Sequence, residues 1–124
     1  MSPSCEGPPG FVHGGVSCYV LDEAMGAAAF AFGYPAKAAK LSFAFWNMVP
    51  QKTELSVRAW IDGPPMKEIN AVILRAELKQ GDEVLVKGFG DFRVVSEKEL
   101  RKLAEDSGQS TEVIDAYYAS LAKP

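Results

Sequence analysis

A single histidine, His13, stands in the 124-residue chain, and only two cysteines, Cys5 and Cys18, accompany it. Such a small supply of ligands makes a poor zinc set, and one histidine is a weak basis for a Ser-His-Asp triad. Basic residues are scattered rather than clustered and the formal net charge is -3, so nothing marks a nucleic-acid partner. The longest weakly charged run, residues 24–36, is too short and too rich in Ala and Gly to span a bilayer. The first ten residues hold Pro, Gly and Ser rather than the charged start and apolar block of a secretory leader. A reducing, cytoplasmic setting is therefore expected, with both thiols as small packing residues rather than a disulfide. What the chain does have is 48% hydrophobic and 23% charged residues, the balance of one globular domain.

Residues 1–12 read as a loop, because Pro3, Gly7, Pro8, Pro9 and Gly10 forbid a regular element. A helix is expected from Gly14 or Gly15 to Phe32, with Gly33 just past its end and Pro35 forbidding its return. Val16, Tyr19, Val20, Leu21, Met25 and Phe30 mix there with Gly26 and Ala27-Ala28-Ala29. Apolar nearly all round, such a helix must be wrapped by something else. Alternation over Leu41–Trp46 and Leu55–Ile61, followed by strand-like runs at 69–78 and 83–95, predicts four strands. Short connections make them antiparallel neighbours, and Gly88 and Gly90 suggest a bulge or bend in the last one. Ser96-x-x-Glu99 opens a helix to about Ser107, ended by Gly108, and Ser110 or Thr111 caps another through Leu121. These two helices are expected to pad the outside of the sheet or to make an oligomer contact. The fold class is α+β, a curled antiparallel sheet wrapped round a central helix. Residues 1–95 form the main unit and 96–124 a C-terminal helical extension.

One acidic pair, Asp22-Glu23, interrupts the apolar helix. An acid there either points to water or is a costly buried group kept for use. The two side chains stand about 100° apart round the helix and cannot share one site. Ahead of them, His13-Gly14-Gly15 can be merely a tight turn and a helix start. It can also be an anion site, since Gly14 and Gly15 expose amides at the positive end of the helix dipole.

Taken together, "PGFVHGGVSCYVLDEAMG" resembles the signature of hotdog-fold acyl-CoA thioesterases, in the phenylacetate-degradation-type branch of the 4-hydroxybenzoyl-CoA thioesterase superfamily. The matching features are the His-Gly-Gly triplet, Asp22 nine positions after His13, and the small-residue helix that follows. "KLSFAFWNMVP" and "VLVKGFGDFRVV" are similar to the second and closing strands of that family, so the resemblance covers roughly residues 5–95. It implies a hotdog fold that hydrolyses an acyl-CoA thioester to free acid and coenzyme A. It further implies a homodimer with shared active sites, often assembled into a homotetramer. Asp22 would then be general base or nucleophile, the Gly14 and Gly15 amides the oxyanion hole, and Glu23 a structural or salt-bridge residue. His13 would position the loop or the thioester. No metal and no cofactor beyond the coenzyme A of the substrate is implied. Three departures stand out. A strand that the family carries before His-Gly-Gly has no counterpart in residues 1–12. Ala38 and Lys40 stand where relatives place a hydroxyl, leaving only Ser42 nearby. Gly7 stands where relatives carry Asn or Gln.

Geometry adds a requirement of its own. Asp22 lies seven residues beyond Gly15, about 10 Å along the axis, whereas reacting atoms must approach to about 3–3.5 Å. Two helices packed antiparallel across a two-fold axis bring the acid of one chain beside the amides of the other. Coenzyme A phosphates want cations, and Lys37, Lys40, Arg58, Arg75 and Arg93 are candidates. Trp46 and Trp60 read as core or interface anchors rather than acyl-pocket walls. A hydratase would need a histidine after the acid, and none follows Asp22. The rival to an esterase is a non-catalytic hotdog module that binds acyl thioesters or a protein partner.

Overall fold

The structure, a computed structural model, describes residues 9–121; Cys5 and Gly7 lie outside them. Helix α1 (Gly14–Ala31) leads into strands β1 (Ala36–Phe45) and β2 (Ser56–Ile61). A short 3-10 turn (Lys67–Ile69) precedes β3 (Ala71–Gln80) and β4 (Glu83–Val94), and α2 (Glu97–Asp106) and α3 (Glu112–Leu121) close the chain. The strands form one antiparallel sheet in the order β1-β4-β3-β2, and α1 touches all four of them. This is the α+β arrangement of a sheet curled round one helix.

Helix α1 buries a single stripe, Ser17, Leu21, Met25 and Ala29, spaced four residues apart. Leu21, Met25 and Ala29 join the core formed by Val72, Leu74, Ala76, Leu78, Val86 and Phe92. The opposite side of the helix stays open, with Tyr19 65% exposed and Glu23 and Ala27 in solvent. One chain therefore wraps only part of a helix whose sequence is apolar nearly all round. Gly33, at φ +89°, ends α1 in the left-handed conformation that favours glycine.

Strand β1 starts five residues before the alternating run at Leu41, because Ala36, Lys37 and Ala38 pair with Val94, Arg93 and Phe92 of the long β4. The bulges fall between Ala38 and Lys40 and between Leu78 and Lys79, not at Gly88 or Gly90. Those glycines make room for α1. A Cβ on Gly90 would collide with the Phe92 ring and lie 3.3 Å from Met25 Sδ, and one on Gly88 would touch Met25 Cε at 3.4 Å. Trp46 and Trp60 do not enter the core either. Trp46 is 61% exposed, with Lys87 over its ring, and Arg58 lies over the half-buried Trp60.

The C-terminal helices pack against the end of α1 rather than across the sheet. Tyr117 Oη donates to the Phe30 carbonyl at 2.7 Å and its ring meets that of Phe30 edge-on at 5.4 Å. Arg101, paired with Glu97 within α2, reaches Asp115 of α3 and so ties the two helices together, and Lys37 of β1 reaches Glu99 at 3.6 Å. None of the described helices is long and apolar enough to cross a membrane.

Candidate active site

The entry to α1 is organised by His13. Its backbone is extended (φ -61°, ψ 136°), and its Nδ1 accepts the Gly15 N–H at 2.9 Å, capping the helix. A neutral ring that accepts at Nδ1 carries its proton at Nε2, on an exposed side chain. The His13 carbonyl accepts from Val16 and Ser17. The Gly15 amide is thus engaged within the chain, while the Gly14 N–H has no partner among the described residues.

Gly14 opens onto a cleft of about 390 Å³. Val12, Gly14 and Ser17 form one wall and residues 45–49 the other. A Cβ on Gly14 would sit 3.5 Å from the Phe45 ring. The facing segment is held from both ends. Trp46 and Asn47 donate to the Leu85 carbonyl at 2.8 and 3.1 Å, and Asn47 Nδ2 donates to Glu83 Oε1 at 2.6 Å. Val12 N–H donates to the Val49 carbonyl at 2.7 Å, beside a bridge between Phe11 and Pro50. Ser17 is 0% exposed, and its Oγ has no hydrogen-bond partner among the described residues.

Asp22 is half-buried on α1, does not line this cleft, and lies about 12 Å beyond Gly14 along the axis. Within one chain the structure does not bring it to Gly14. Glu23 is exposed. The candidate cations also stand away from the cleft. Lys37 pairs with Glu99, Arg75 with Asp62 while lying over Phe89, and Arg93 with Asp91. Cys18 is a free, half-buried thiol whose pKa burial pushes up. Among the described residues no group of three His, Cys, Asp or Glu side chains stands close enough to hold a metal ion.

Sequence reasoning did not single out Ser17, and it took Trp46 for a core or interface anchor, whereas Trp46 stands in the cleft wall at 45–49. The signal for Ser17 was a hydroxyl in step with Leu21, Met25 and Ala29, every fourth residue on the buried stripe. A second groove of about 410 Å³ runs between α2 and α3, lined by residues such as Leu100, Leu103 and Val113. It contains no charged side chain and reaches Phe30, about 25 Å along α1 from His13, so it stands apart from the candidate residues.

No protein-family model matches the sequence, and no curated protein matches it. Solved structures do. A thioesterase superfamily protein superposes with a TM-score of 0.68 at 27% identity, over 74% of this chain and 47% of its own. This chain therefore spans about half the length of that relative. A Bacillus halodurans protein solved with coenzyme A matches at a TM-score of 0.65 and 23% identity, over 77% of this chain and 67% of its own. A phenylacetic acid degradation-related protein of Ralstonia eutropha matches at 0.66 and 21%, over 76% of this chain and 70% of its own. With a central helix against a four-stranded antiparallel sheet and these neighbours, the chain has the hotdog fold of the thioesterase superfamily.

Proposed function

We propose that the protein hydrolyses an acyl-CoA thioester to free acid and coenzyme A, at a site that two protomers share. The reading is carried by the Gly14 amide at the head of α1, which has no partner among the described residues and opens onto a mostly apolar cleft. A carbonyl oxygen placed there meets an N–H at the positive end of the helix dipole, where charge developing in the transition state is stabilised. Because His13 occupies the Gly15 amide, Gly14 is the backbone donor in this reading. The names of the neighbours, one a thioesterase superfamily protein and one solved with coenzyme A, support the substrate class.

Asp22 supplies the other half of the reaction from the second protomer. Its carboxylate takes a proton from water as the water attacks the thioester carbon, or attacks that carbon itself to form an anhydride that water then opens. The C–S bond breaks in either case: in the first route Asp22 passes the proton it took to the departing thiolate, and in the second the thiolate leaves as such and takes its proton from the water that opens the anhydride. The open face of α1, with Tyr19, Glu23 and Ala27, and the exposed edge of β1 leave two surfaces on which a second copy can dock. Lys37, Lys40, Arg58 and Arg75 are the cations for the coenzyme A phosphates; Lys40 and Arg58 carry no ion pair among the described residues.

The test is a panel of short, medium and aryl acyl-CoAs with a thiol reagent present. Turnover by the wild type should fall about 10²–10⁴-fold in Asp22→Asn, the range expected when a general base is removed. Undiminished turnover in the variant would sink the assignment of Asp22. Tight binding of acyl-CoAs with no release of thiol would favour the non-catalytic module instead.

A further inference from the structure

We propose that the Ser17 hydroxyl is the second hydrogen-bond donor to the thioester carbonyl, beside the Gly14 amide. The inference rests on the thioesterase reading above and deepens it. Oxyanion sites gain from converging donors, and the sequence offered two, the amides of Gly14 and Gly15. The cap formed by His13 Nδ1 takes the second of these at 2.9 Å, so one backbone donor remains for a ligand. Ser17 stands three residues beyond Gly14, a spacing that places two residues on the same helical face. Its Cβ leans toward the helix N-terminus, back over the turn that contains Gly14.

The hydroxyl has no competing use among the described residues. Ser17 is 0% exposed and lines the same cleft as Gly14, yet its Oγ has no partner among the described residues. A serine inside a helix commonly bonds the carbonyl four residues back. Here that carbonyl belongs to His13, which already accepts from Val16 and Ser17 N–H. Buried hydroxyls without partners are uncommon and destabilising, so one that lines a cleft beside an amide with no partner among the described residues has the chemistry of a binding group awaiting its ligand. Val12, Phe45 and Val49 keep the surroundings apolar, where a hydrogen bond to developing negative charge is strongest.

Ser17→Ala, compared with the wild type on unsubstituted acyl-CoAs, should lower kcat about 10²-fold with little change in KM. Its melting temperature should be equal or higher, because an unsatisfied polar group has been removed. A role in packing alone predicts unchanged kcat, and that result overturns the proposal. So does a loss confined to KM for acyl groups bearing their own hydroxyl, which would place the bond on the acyl chain. A second readout does not need turnover. In the Asp22→Asn background, the infrared carbonyl band of a bound ¹³C-labelled thioester should lie lower when Ser17 is kept than when Ser17→Ala is added. Equal bands overturn the inference whether or not the wild type is an esterase. An inactive wild type with a Ser17-dependent band shift would instead retain the hydrogen bond and remove the hydrolase.

Discussion

His13 caps α1 with a ring nitrogen in a place more often held by Asn, Asp or Ser. Its contribution to stability should therefore be that of a cap rather than of an acid–base group. His13→Ala should lose about 1 kcal/mol in urea unfolding, while His13→Asn, which keeps an acceptor at the cap, should lose only a few tenths. Equal losses in both variants would show that the ring stabilises through some other contact. The same bond explains why the sequence was only partly readable at this scale. A His-Gly-Gly triplet ahead of a helix announces that amides are on offer, but not which amide the ring will claim. Only the extended backbone of His13 and the 2.9 Å contact decide that Gly15 is taken and Gly14 left. Ser17 was less visible still. A serine in an apolar helix reads alike on either face, and its significance comes from complete burial without a partner, which is a property of packing.

The helices were legible as elements because their ends carry chemical signals. Ser96 Oγ accepts the Glu99 N–H at 3.1 Å, Ser110 Oγ that of Glu112 at 3.2 Å, and Gly108 adopts a φ of +72°. The start of β1 was not legible, since Ala36-Lys37-Ala38 has little intrinsic strand preference and is extended by pairing with β4. Nor was the docking of α3, because a modest apolar stripe says that a helix packs but not against what. Its anchor is Tyr117, whose hydroxyl satisfies the Phe30 carbonyl in the last turn of α1. Burial pushes the phenols of both Tyr117 and Tyr118 above their ordinary range near 10. The native state thus holds protons that the unfolded chain releases first. Stability from this source is complete below about pH 10 and is lost as pH rises through the raised native values. Melting temperature should fall more steeply above pH 10 in the wild type than in a Tyr117→Phe/Tyr118→Phe variant. At neutral pH, Tyr117→Phe alone should cost about 1 kcal/mol, from the loss of one hydrogen bond, since the Phe30 carbonyl still accepts the Gly33 N–H at 3.0 Å. Parallel pH profiles would show that these phenols do not couple α3 to the fold.

For the molecule as a whole, the decisive question is whether one chain or two complete a site, and substitutions at Gly14 and Asp22 can answer it. Gly14 is the first residue of α1, where proline is well tolerated, and His13 before it already has the extended backbone that a following proline demands. Gly14→Pro should therefore delete the cleft amide while leaving the helix in place. Alone, it should be as inactive as Asp22→Asn. Mixed and allowed to exchange, the two variants behave differently under the two geometries. If each site takes its acid from one protomer and its amide from the other, every heterodimer holds one site with both defects and one with neither. Random exchange makes half of the dimers mixed, and activity should return to about a quarter of the wild-type value. If the acid and amide of one chain served the same site, every chain would remain defective and mixing would restore nothing. Sedimentation of the same mixture at assay concentration would have to show dimers, because a monomer that regained activity has no means of combining two broken copies. The roughly 10 Å between Gly15 and Asp22 along α1 is fixed by helical rise, so no side-chain movement can substitute for the second chain.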